Sequence, residues 1–166
     1  MRLARSLLLG SALVLGGVGW WMQSDQPTSS GDDKPATSAT VSRVIDGDTL
    51  IVDASTRVRV LGIDTPEEGR DGQPAECGAR EATAAARDML DGQDVDLIAD
   101  ASQADSDAYG RLLRYVELED GRDLAHELLS TGHATVYTPA GTIARQDAYE
   151  AAEEAGRTQD RTAPRC

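Results

Sequence analysis

Two short acidic segments carry most of the potential chemistry of this sequence. The first places Asp46 and Asp48 on either side of Gly47, and the second begins at Asp64, directly after the apolar residues 60–63. In an extended chain, residues i and i+2 point to the same face, so the first two carboxylates repel each other unless a cation or a turn intervenes. A charge at the end of an apolar strand is costly unless it is used. Both segments are therefore candidates for binding a cation.

The second segment continues with Thr65, Pro66 and Glu67. Proline biases the residue before it toward an extended backbone, which would aim the Thr65 carbonyl. Carboxylate and carbonyl oxygens are hard ligands, and they suit Ca²⁺ or Mg²⁺ better than Zn²⁺. Any one of these acids alone is more simply interpreted as a turn or capping residue, so the interpretation depends on the combination.

Two arginines extend this chemistry from cation binding to phosphate binding. Arg59 lies five residues before Asp64, and Arg111 follows Tyr109 and Gly110. A guanidinium group binds phosphate oxygens through two parallel N–H donors. Taken singly, each arginine is more often a solvated surface residue. Together with the acids, they predict chemistry on a phosphate ester.

The elements that must position these residues follow from the spacing of apolar residues. Helices are predicted at residues 79–90, 122–129 and 142–155, and strands at residues 40–45, 49–53, 57–63, 95–99 and 112–118. Five short strands with a helix between the third and the fourth predict an α+β fold, a five-stranded OB barrel with three helices. The acid-rich residues 100–110 are predicted to form a solvated loop. A fold alone leaves the function open.

The charge balance is strongly acidic, with 29 acidic residues against 16 basic ones and a net charge of −13. Such a surface repels a polyanion at low salt, which argues against a generic nucleic-acid-binding protein. The composition favours a halophilic protein from a very salty environment, because the Debye length falls to roughly 3 Å at about 1 M salt. An ordinary solubility surface is the alternative.

The chain begins with a targeting segment at residues 1–22, in which two arginines precede the uncharged, mostly apolar residues 6–22. Such a segment is either a cleaved signal peptide or an N-terminal membrane anchor. We therefore expect a protein that is secreted or anchored to the outer face of the cytoplasmic membrane. Residues 23–38 are predicted to be a disordered linker, and residues 39–166 the folded domain.

The sequence has two cysteines, Cys77 and Cys166. In an exported protein an even pair predicts a disulfide, which here would tie the last residue to the segment before the first helix. Closing a loop of this length stabilises a protein by roughly 4–5 kcal/mol in the chain-entropy treatment. Two free thiols are the alternative, and a metal site is disfavoured because no neighbouring Cys or His completes it.

Three motifs, in their order and spacing, resemble the staphylococcal nuclease (thermonuclease) family. They are VIDGDT at residues 44–49, RVLGIDTPE at residues 59–67 and DAYGR at residues 107–111, and the similarity covers about residues 40–157. The resemblance implies a five-stranded barrel and Ca²⁺-dependent hydrolysis of DNA and RNA by attack of water, leaving 3′-phosphates. We expect a monomer with calcium as cofactor and nucleic acid as substrate.

The same resemblance implies roles for the acidic residues. Asp48, Asp64 and the carbonyl of Thr65 resemble the calcium ligands of the family. Asp46 would lie behind them, where it orients water on the metal. Glu67 matches the residue proposed as the general base that activates the attacking water.

Arg59 and Arg111 match the two arginines that bind phosphate in the family. Tyr109 matches a residue that contacts the terminal phosphate, and Tyr137 matches the tyrosine that stacks on the base. The sequence departs from the family in its acidity, and Ala108 stands where the family has a lysine.

Two functions other than an enzyme are compatible with part of this pattern. A non-catalytic binding module on the same barrel would usually have lost the acids or the arginines, and this chain keeps both. A calcium-binding structural domain at the cell surface would explain the acids but not the paired arginines. His126 and His133 have no metal-binding partner in the sequence pattern, so we interpret them as structural or surface residues.

Overall fold

The computed structural model describes residues 36–69 and 72–160, apart from the side chains of residues 159 and 160. The described strands are β1 Thr37–Asp46, β2 Thr49–Val52, β3 Thr56–Val60, β4 Ile63–Asp64, β5 Asp94–Ile98, β6 Leu112–Leu118 and β7 Thr135–Val136. The described helices are α1 Ala79–Leu90, α2 Leu124–Ser130 and α3 Gln146–Asp160.

Five of the strands close a barrel in the order β1-β2-β3-β6-β5. Neighbouring strands are antiparallel except β3 and β6, which run parallel. β1 closes the barrel because it is long enough to pair twice. Its first half pairs with β5, from Thr37 opposite Leu97, and its second half pairs with β2, ending with Asp46 opposite Thr49. The predicted five-stranded OB barrel with three helices is confirmed.

Aliphatic side chains fill the barrel, since the sequence has no phenylalanine. Alternate residues such as Val58 and Val60 of β3 point inward and are buried, as the pleat of a strand requires. Tyr115 and Tyr149 join this core with their rings edge to face at 6.1 Å. α1 packs against β1 and α2, and α2 packs against α3 and β6. The helices therefore pack mainly on the part of the barrel wall that β1 and β6 form.

The predicted third strand at residues 57–63 is wrong as a single element, because the structure divides it into β3 and β4. The chain turns at Gly62, whose φ of +83° lies in the left-handed region that favours glycine. A Cβ at this position would overlap Ile143 and the ring of Tyr149. β4 then leaves the barrel and pairs with β7, a two-residue strand that the sequence pattern did not predict.

Other boundaries shift for local reasons. β1 begins at Thr37, inside the predicted linker, because residues 37–40 pair with β5. α2 begins at Leu124 rather than at residue 122, because the Asp123 carboxylate caps it by accepting amide hydrogen bonds from its first turn. α3 begins four residues later than predicted, at Gln146, and extends to Asp160.

The prediction of a solvated loop at residues 100–110 is wrong for Asp100, whereas the side chain of Asp105 is 61% exposed. Asp100 is buried, and its Oδ2 accepts hydrogen bonds from the Tyr115 hydroxyl at 2.5 Å and from the Ala144 amide at 2.8 Å. Asp105 and Asp107 each form an ion pair with an arginine. The loop is therefore tied to the barrel and to the segment before α3.

Several predictions concern residues outside this description. The targeting segment and the linker as far as residue 35 lie outside it. No helix in the described part of the chain is long and apolar enough to cross a membrane. Cys77 has no free thiol. Its predicted partner, Cys166, lies outside the described residues, so the pairing stays a prediction.

Candidate active site

One row of residues across the barrel wall brings the candidate site together. Asp46 at the end of β1 lies opposite Thr49 on β2, and Thr49 lies opposite Arg59 on β3. Arg59 in turn pairs with Leu113 on β6. Arg111, two residues before Leu113, extends its Nη1 to within 3.4 Å of the Thr49 hydroxyl. The strand register thus places both predicted arginines at the same end of the barrel as the first acidic segment.

Asp48 connects the two acidic segments. It lies in the turn between β1 and β2 and is 2% exposed. Its Oδ2 accepts hydrogen bonds from the amide of Thr65 at 2.9 Å and from the Thr65 hydroxyl at 3.1 Å. Its Oδ1 accepts a hydrogen bond from the Thr49 hydroxyl at 3.0 Å. A single buried carboxylate therefore holds the β1–β2 turn against the segment that follows β4.

Arg59 lies between the two carboxylates that the sequence predicts as calcium ligands. Its Nη1 forms an ion pair with Asp48 Oδ1, and its Nη2 donates to Asp64 Oδ1 at 2.8 Å. The Asp48 side chain is 2% exposed whereas the Asp64 side chain is 51% exposed. Both carboxylates therefore contact the Arg59 guanidinium, Asp48 from the buried side and Asp64 from the solvent side.

Asp46 is buried behind this pair. Its Oδ1 accepts a hydrogen bond from the amide of Asp48 at 3.3 Å, which helps to shape the turn. Burial raises the pKa of Asp46 to about 6, and repulsion from Asp48 and Glu67 contributes to the rise. Negative charge is therefore concentrated at this end of the barrel.

Glu67 lies in the segment between β4 and α1, with its side chain exposed. Its backbone is anchored by Glu76: the Glu67 amide donates to Glu76 Oε2 at 3.0 Å, and the Glu67 carbonyl accepts from the Glu76 amide at 3.0 Å. Its carboxylate is near enough to raise the pKa of Asp46. The structure thus places Glu67 beside the other acids, at the solvent side of the cluster.

Arg111 is positioned by Asp107. The Arg111 Nε donates to Asp107 Oδ2 at 2.7 Å. The other oxygen, Oδ1, accepts from the amides of Tyr109 at 2.9 Å and of Arg111 at 3.0 Å, so Asp107 shapes the turn before Arg111. The guanidinium carbon of Arg111 lies 5.6 Å from the centre of the Tyr109 ring. The ring itself is 81% exposed and is available to a ligand.

Tyr137 lies directly after β7, on the side of the site formed by β4 and β7. Its amide donates to the Gly62 carbonyl at 2.9 Å, which places it beside the turn between β3 and β4. Tyr109 and Tyr137 are the large apolar side chains exposed in the described part of the chain. The structure therefore keeps both predicted substrate-binding tyrosines at the surface, one beside Arg111 and the other beside the β4–β7 pair.

Sequence reasoning missed two residues of the site. The Thr49 hydroxyl lies between the Asp48 carboxylate and Arg111. The sequence signal that could have indicated this residue is its position directly after Asp48. Gly47 is needed for close packing, because a Cβ there would lie 2.7 Å from Cγ2 of Thr65. A partner 18 residues further along the chain is not visible in a local pattern.

The donor chemistry of the site suits calcium. The two carboxylates that meet at Arg59 and the nearby carbonyl of Thr65 are hard oxygen donors. Among the residues described, no three acidic, histidine or cysteine side chains converge closely enough to hold a cation. Two carboxylates and a carbonyl are compatible with this, because Ca²⁺ takes six to eight oxygens and accepts several from water and substrate.

Comparison with known proteins decides the family. The family model described as "Staphylococcal nuclease homologue" matches residues 57–162. This chain belongs to the staphylococcal nuclease homologue family. The matched region includes Arg59, Asp64 and Arg111. Asp46 and Asp48 precede it, and Asp48 is joined to it by its hydrogen bonds with Thr65 and its ion pair with Arg59.

Two curated relatives of this staphylococcal nuclease homologue are thermonucleases. The chain is 38% identical to the thermonuclease of Staphylococcus intermedius over 104 residues, which are 60% of this chain and 61% of that protein. It is 39% identical to the thermonuclease of Staphylococcus hyicus over 93 residues, which are 54% of this chain and 53% of that protein. The chain thus spans between half and about three fifths of the length of the relatives it matches.

Proposed function

We propose that this chain is a calcium-dependent nuclease that hydrolyses phosphodiester bonds of DNA, RNA or both by attack of water and leaves 3′-phosphates. The observation that carries the proposal is the convergence of Arg59 and Arg111 on Thr49, directly beside the carboxylates of Asp48 and Asp64. An acidic cluster alone would indicate only cation binding. Two guanidinium groups beside it indicate a phosphate ligand.

The arginines would bind the scissile phosphate and stabilise the charge that develops on its oxygens. Each is held in place before substrate arrives. Asp48 anchors Arg59 from the buried side, and Asp107 anchors Arg111 through its Nε. Among the described residues, Nη2 of Arg59 donates to the exposed Asp64, and Nη1 of Arg111 makes a long contact with Thr49. These donors are the ones best placed to turn to a phosphate.

Asp48, Asp64 and the Thr65 carbonyl would hold the cation, with Asp46 behind them. Calcium bound there would add positive charge near the phosphate and help to orient the attacking water. The buried hydrogen bonds from Thr65 to Asp48 fix two of these donors relative to each other. Burial of Asp46 and its bond to the Asp48 amide keep the turn in place.

Glu67 is proposed to accept the proton of the attacking water. Its side chain is exposed while its backbone is bonded to Glu76, so the carboxylate can reach a substrate on the outer face. Tyr109 is proposed to contact the terminal phosphate from its place beside Arg111. Tyr137 is proposed to stack on a base, which is the kind of contact that an exposed aromatic ring makes with single strands.

We further propose that the protein acts outside the cytoplasm, as a secreted or membrane-anchored monomer, and at high salt. The targeting pattern of residues 1–22 supports export, and the net charge of −13 supports a salty environment. Screening at about 1 M salt would reduce the repulsion between the acidic surface and a nucleic acid. Every proposed catalytic group comes from one chain, so the proposal requires no partner subunit.

Substitutions in the full-length chain test the assignment. Glu67→Gln should reduce kcat/KM on single-stranded DNA about 10²–10⁴-fold, the usual contribution of a general base. Arg111→Ala should reduce it about 10²–10³-fold through lost charge stabilisation. The matched controls are the neighbouring Glu68→Gln and the surface substitution Arg122→Gln. Wild-type rates in Glu67→Gln or Arg111→Ala, with folding verified by circular dichroism, would contradict the assignments.

A further inference from the structure

A second basic feature lies on the outer face of the barrel. It is a groove of about 530 Å³. We call it the arginine groove, and its lining consists of three arginines and three aliphatic residues: Arg43, Arg57, Arg87, Val44, Ile45 and Ile51. The three arginines come from β1, β3 and α1, and all three are exposed. The described residues that line the groove include no acid.

No carboxylate in the described part of the chain forms an ion pair with the arginines of this groove. Six other described arginines form ion pairs with acids: Arg59, Arg111, Arg114, Arg122, Arg145 and Arg157. Within the described part of the chain Arg43, Arg57 and Arg87 form none, although Arg87 donates to the Val44 carbonyl at 3.4 Å. In a chain with 29 acidic residues, three neighbouring cations without a carboxylate form a local positive field. That arrangement suits a ligand with repeated negative charge.

Strand register places the arginine groove next to the candidate active site. Ile51 on β2 lies opposite Arg57 on β3, just as Thr49 lies opposite Arg59. Residues two apart on a strand share a face and are separated by about 7 Å. Arg57 therefore lies on the same outer face as Arg59, one pleat further along the barrel. Arg43 continues this second row, because it pairs with Ile51 from the other side.

We propose that the arginine groove binds the sugar-phosphate backbone of the nucleic acid strand beyond the bond that is cleaved. The proposal rests on the proposed nuclease function and extends it to longer substrates. The guanidinium groups would contact successive phosphates, and Ile45 and Ile51 would contact the sugars between them. These contacts read no base, so binding is independent of sequence. The groove explains how a chain of net charge −13 can hold a polyanion along one face.

The double variant Arg43→Gln/Arg57→Gln tests the groove in the full-length chain. Its control is Arg122→Gln/Arg157→Gln, which removes the same charge from two exposed surface arginines. Two substrates are compared, a dinucleotide with one phosphodiester bond and a single strand of about 12 nucleotides. We expect the ratio of kcat/KM for the long strand to kcat/KM for the dinucleotide to fall about tenfold in the groove variant. The same ratio should stay near the wild-type value in the control.

Binding of a fluorescently labelled strand gives a second readout that does not depend on cleavage. The slope of log K against log salt concentration should become shallower by about 1.4 when two phosphate contacts are lost. A wild-type ratio and a wild-type slope in the groove variant would overturn the proposal. If the groove variant binds the strand as the wild type does but no longer binds phosphatidylserine vesicles, the groove proposal is also overturned. The groove would then be a binding site for a membrane surface.

The two proposals fail in different ways. If the wild-type chain binds the strand but cleaves neither substrate, the nuclease proposal fails while the salt slope still tests the groove. If the wild-type chain cleaves both substrates and the groove variant keeps both the wild-type length preference and the wild-type salt slope, the groove proposal fails and the nuclease proposal stands.

Discussion

Thr65 donates two hydrogen bonds to one oxygen of Asp48, from its amide at 2.9 Å and from its hydroxyl at 3.1 Å. Both residues are almost fully buried, so these bonds are shielded from water. They join the β1–β2 turn to the segment that carries the remaining acids of the site. The relative position of the proposed calcium ligands therefore depends on how closely the turn can approach Thr65.

Gly47→Ala tests this close approach. Gly47 does not have a positive φ, so alanine is not strained by its backbone conformation. Its Cβ would instead lie 2.7 Å from Cγ2 of Thr65 and push that residue away. We expect a loss of about 1–3 kcal/mol in the free energy of unfolding, as for other overpacked sites. We also expect kcat/KM to fall about tenfold, because small displacements of catalytic groups are costly.

A second substitution identifies the contact responsible. Thr65→Ser removes Cγ2 and keeps the hydroxyl that donates to Asp48. In the double variant Gly47→Ala/Thr65→Ser, part of the lost stability and activity should return. Strictly additive losses in a double-mutant cycle, measured by urea unfolding, would show that the contact with Thr65 is not the cause.

Asp107→Asn tests the positioning of Arg111. The substitution removes the carboxylate that accepts from the Arg111 Nε at 2.7 Å and leaves the turn with an amide of similar shape. Burial raises the pKa of Asp107, but hydrogen bonds from the amide and the side chain of Arg111 outweigh this effect. The net pKa therefore lies below its ordinary value, and the carboxylate is ionised at neutral pH. We expect kcat/KM to fall about tenfold to a hundredfold, in the range seen when an orienting partner is lost.

Asp105→Asn is the matched control for that measurement. Asp105 lies in the same loop and pairs with Arg114, which is not proposed to bind substrate. Its substitution removes the same charge, so general effects of surface charge on nucleic acid binding appear equally in both variants. An equal change in both variants would mean that Asp107 acts through charge alone and does not position Arg111.

Tyr115→Phe tests the buried contact with Asp100. Loss of a hydrogen bond to a charged group should lower the free energy of unfolding at neutral pH by about 1.5–3 kcal/mol. Burial raises the pKa of Asp100, but hydrogen bonds from Tyr115, Ala144 and Ser102 outweigh it, so the pKa lies below 3.8. A lowered pKa stabilises the folded state above pH 3.8, and this stability is lost as the pH falls through the folded pKa.

The stability difference between wild type and Tyr115→Phe should therefore shrink as the pH falls through the folded-state pKa of Asp100, first that of the variant and then that of the wild type. Urea unfolding at neutral pH and at about pH 3 measures it. Asp100→Asn serves as the control, since an amide cannot ionise and the pH dependence should disappear. A difference between wild type and Tyr115→Phe that is the same at both pH values would contradict the predicted coupling.

The barrel was predictable from the sequence because its strands are short runs rich in β-branched and aliphatic residues, bounded by turn residues. The division of β3 from β4 was not, since the alternation continues through Gly62. The close packing that requires a glycine at this turn is against Ile143 and Tyr149, more than eighty residues away in the sequence. β7 has only two residues, which is too short for any periodic pattern.

The residue types of the candidate site were predictable, but their partners were not. Asp48, Arg59 and Arg111 stand out in local motifs, and the structure brings them to one end of the barrel. Their contacts join residues that are far apart in sequence, by 17 positions for Asp48 and Thr65 and by 62 positions for Thr49 and Arg111. Such pairings depend on strand register, which the sequence pattern alone did not specify.

Cleavage of single-stranded DNA by the full-length chain tests the central claim most directly. The rate is measured with Ca²⁺ and with EDTA across about 0.1–4 M salt, a range that spans weak and strong screening. We predict cleavage that requires Ca²⁺, that rises with salt from the low end of the range, and that leaves products ending in 3′-phosphate. Absence of Ca²⁺-dependent cleavage at every salt concentration, from a chain shown to be folded, would contradict the claim that this barrel is a nuclease.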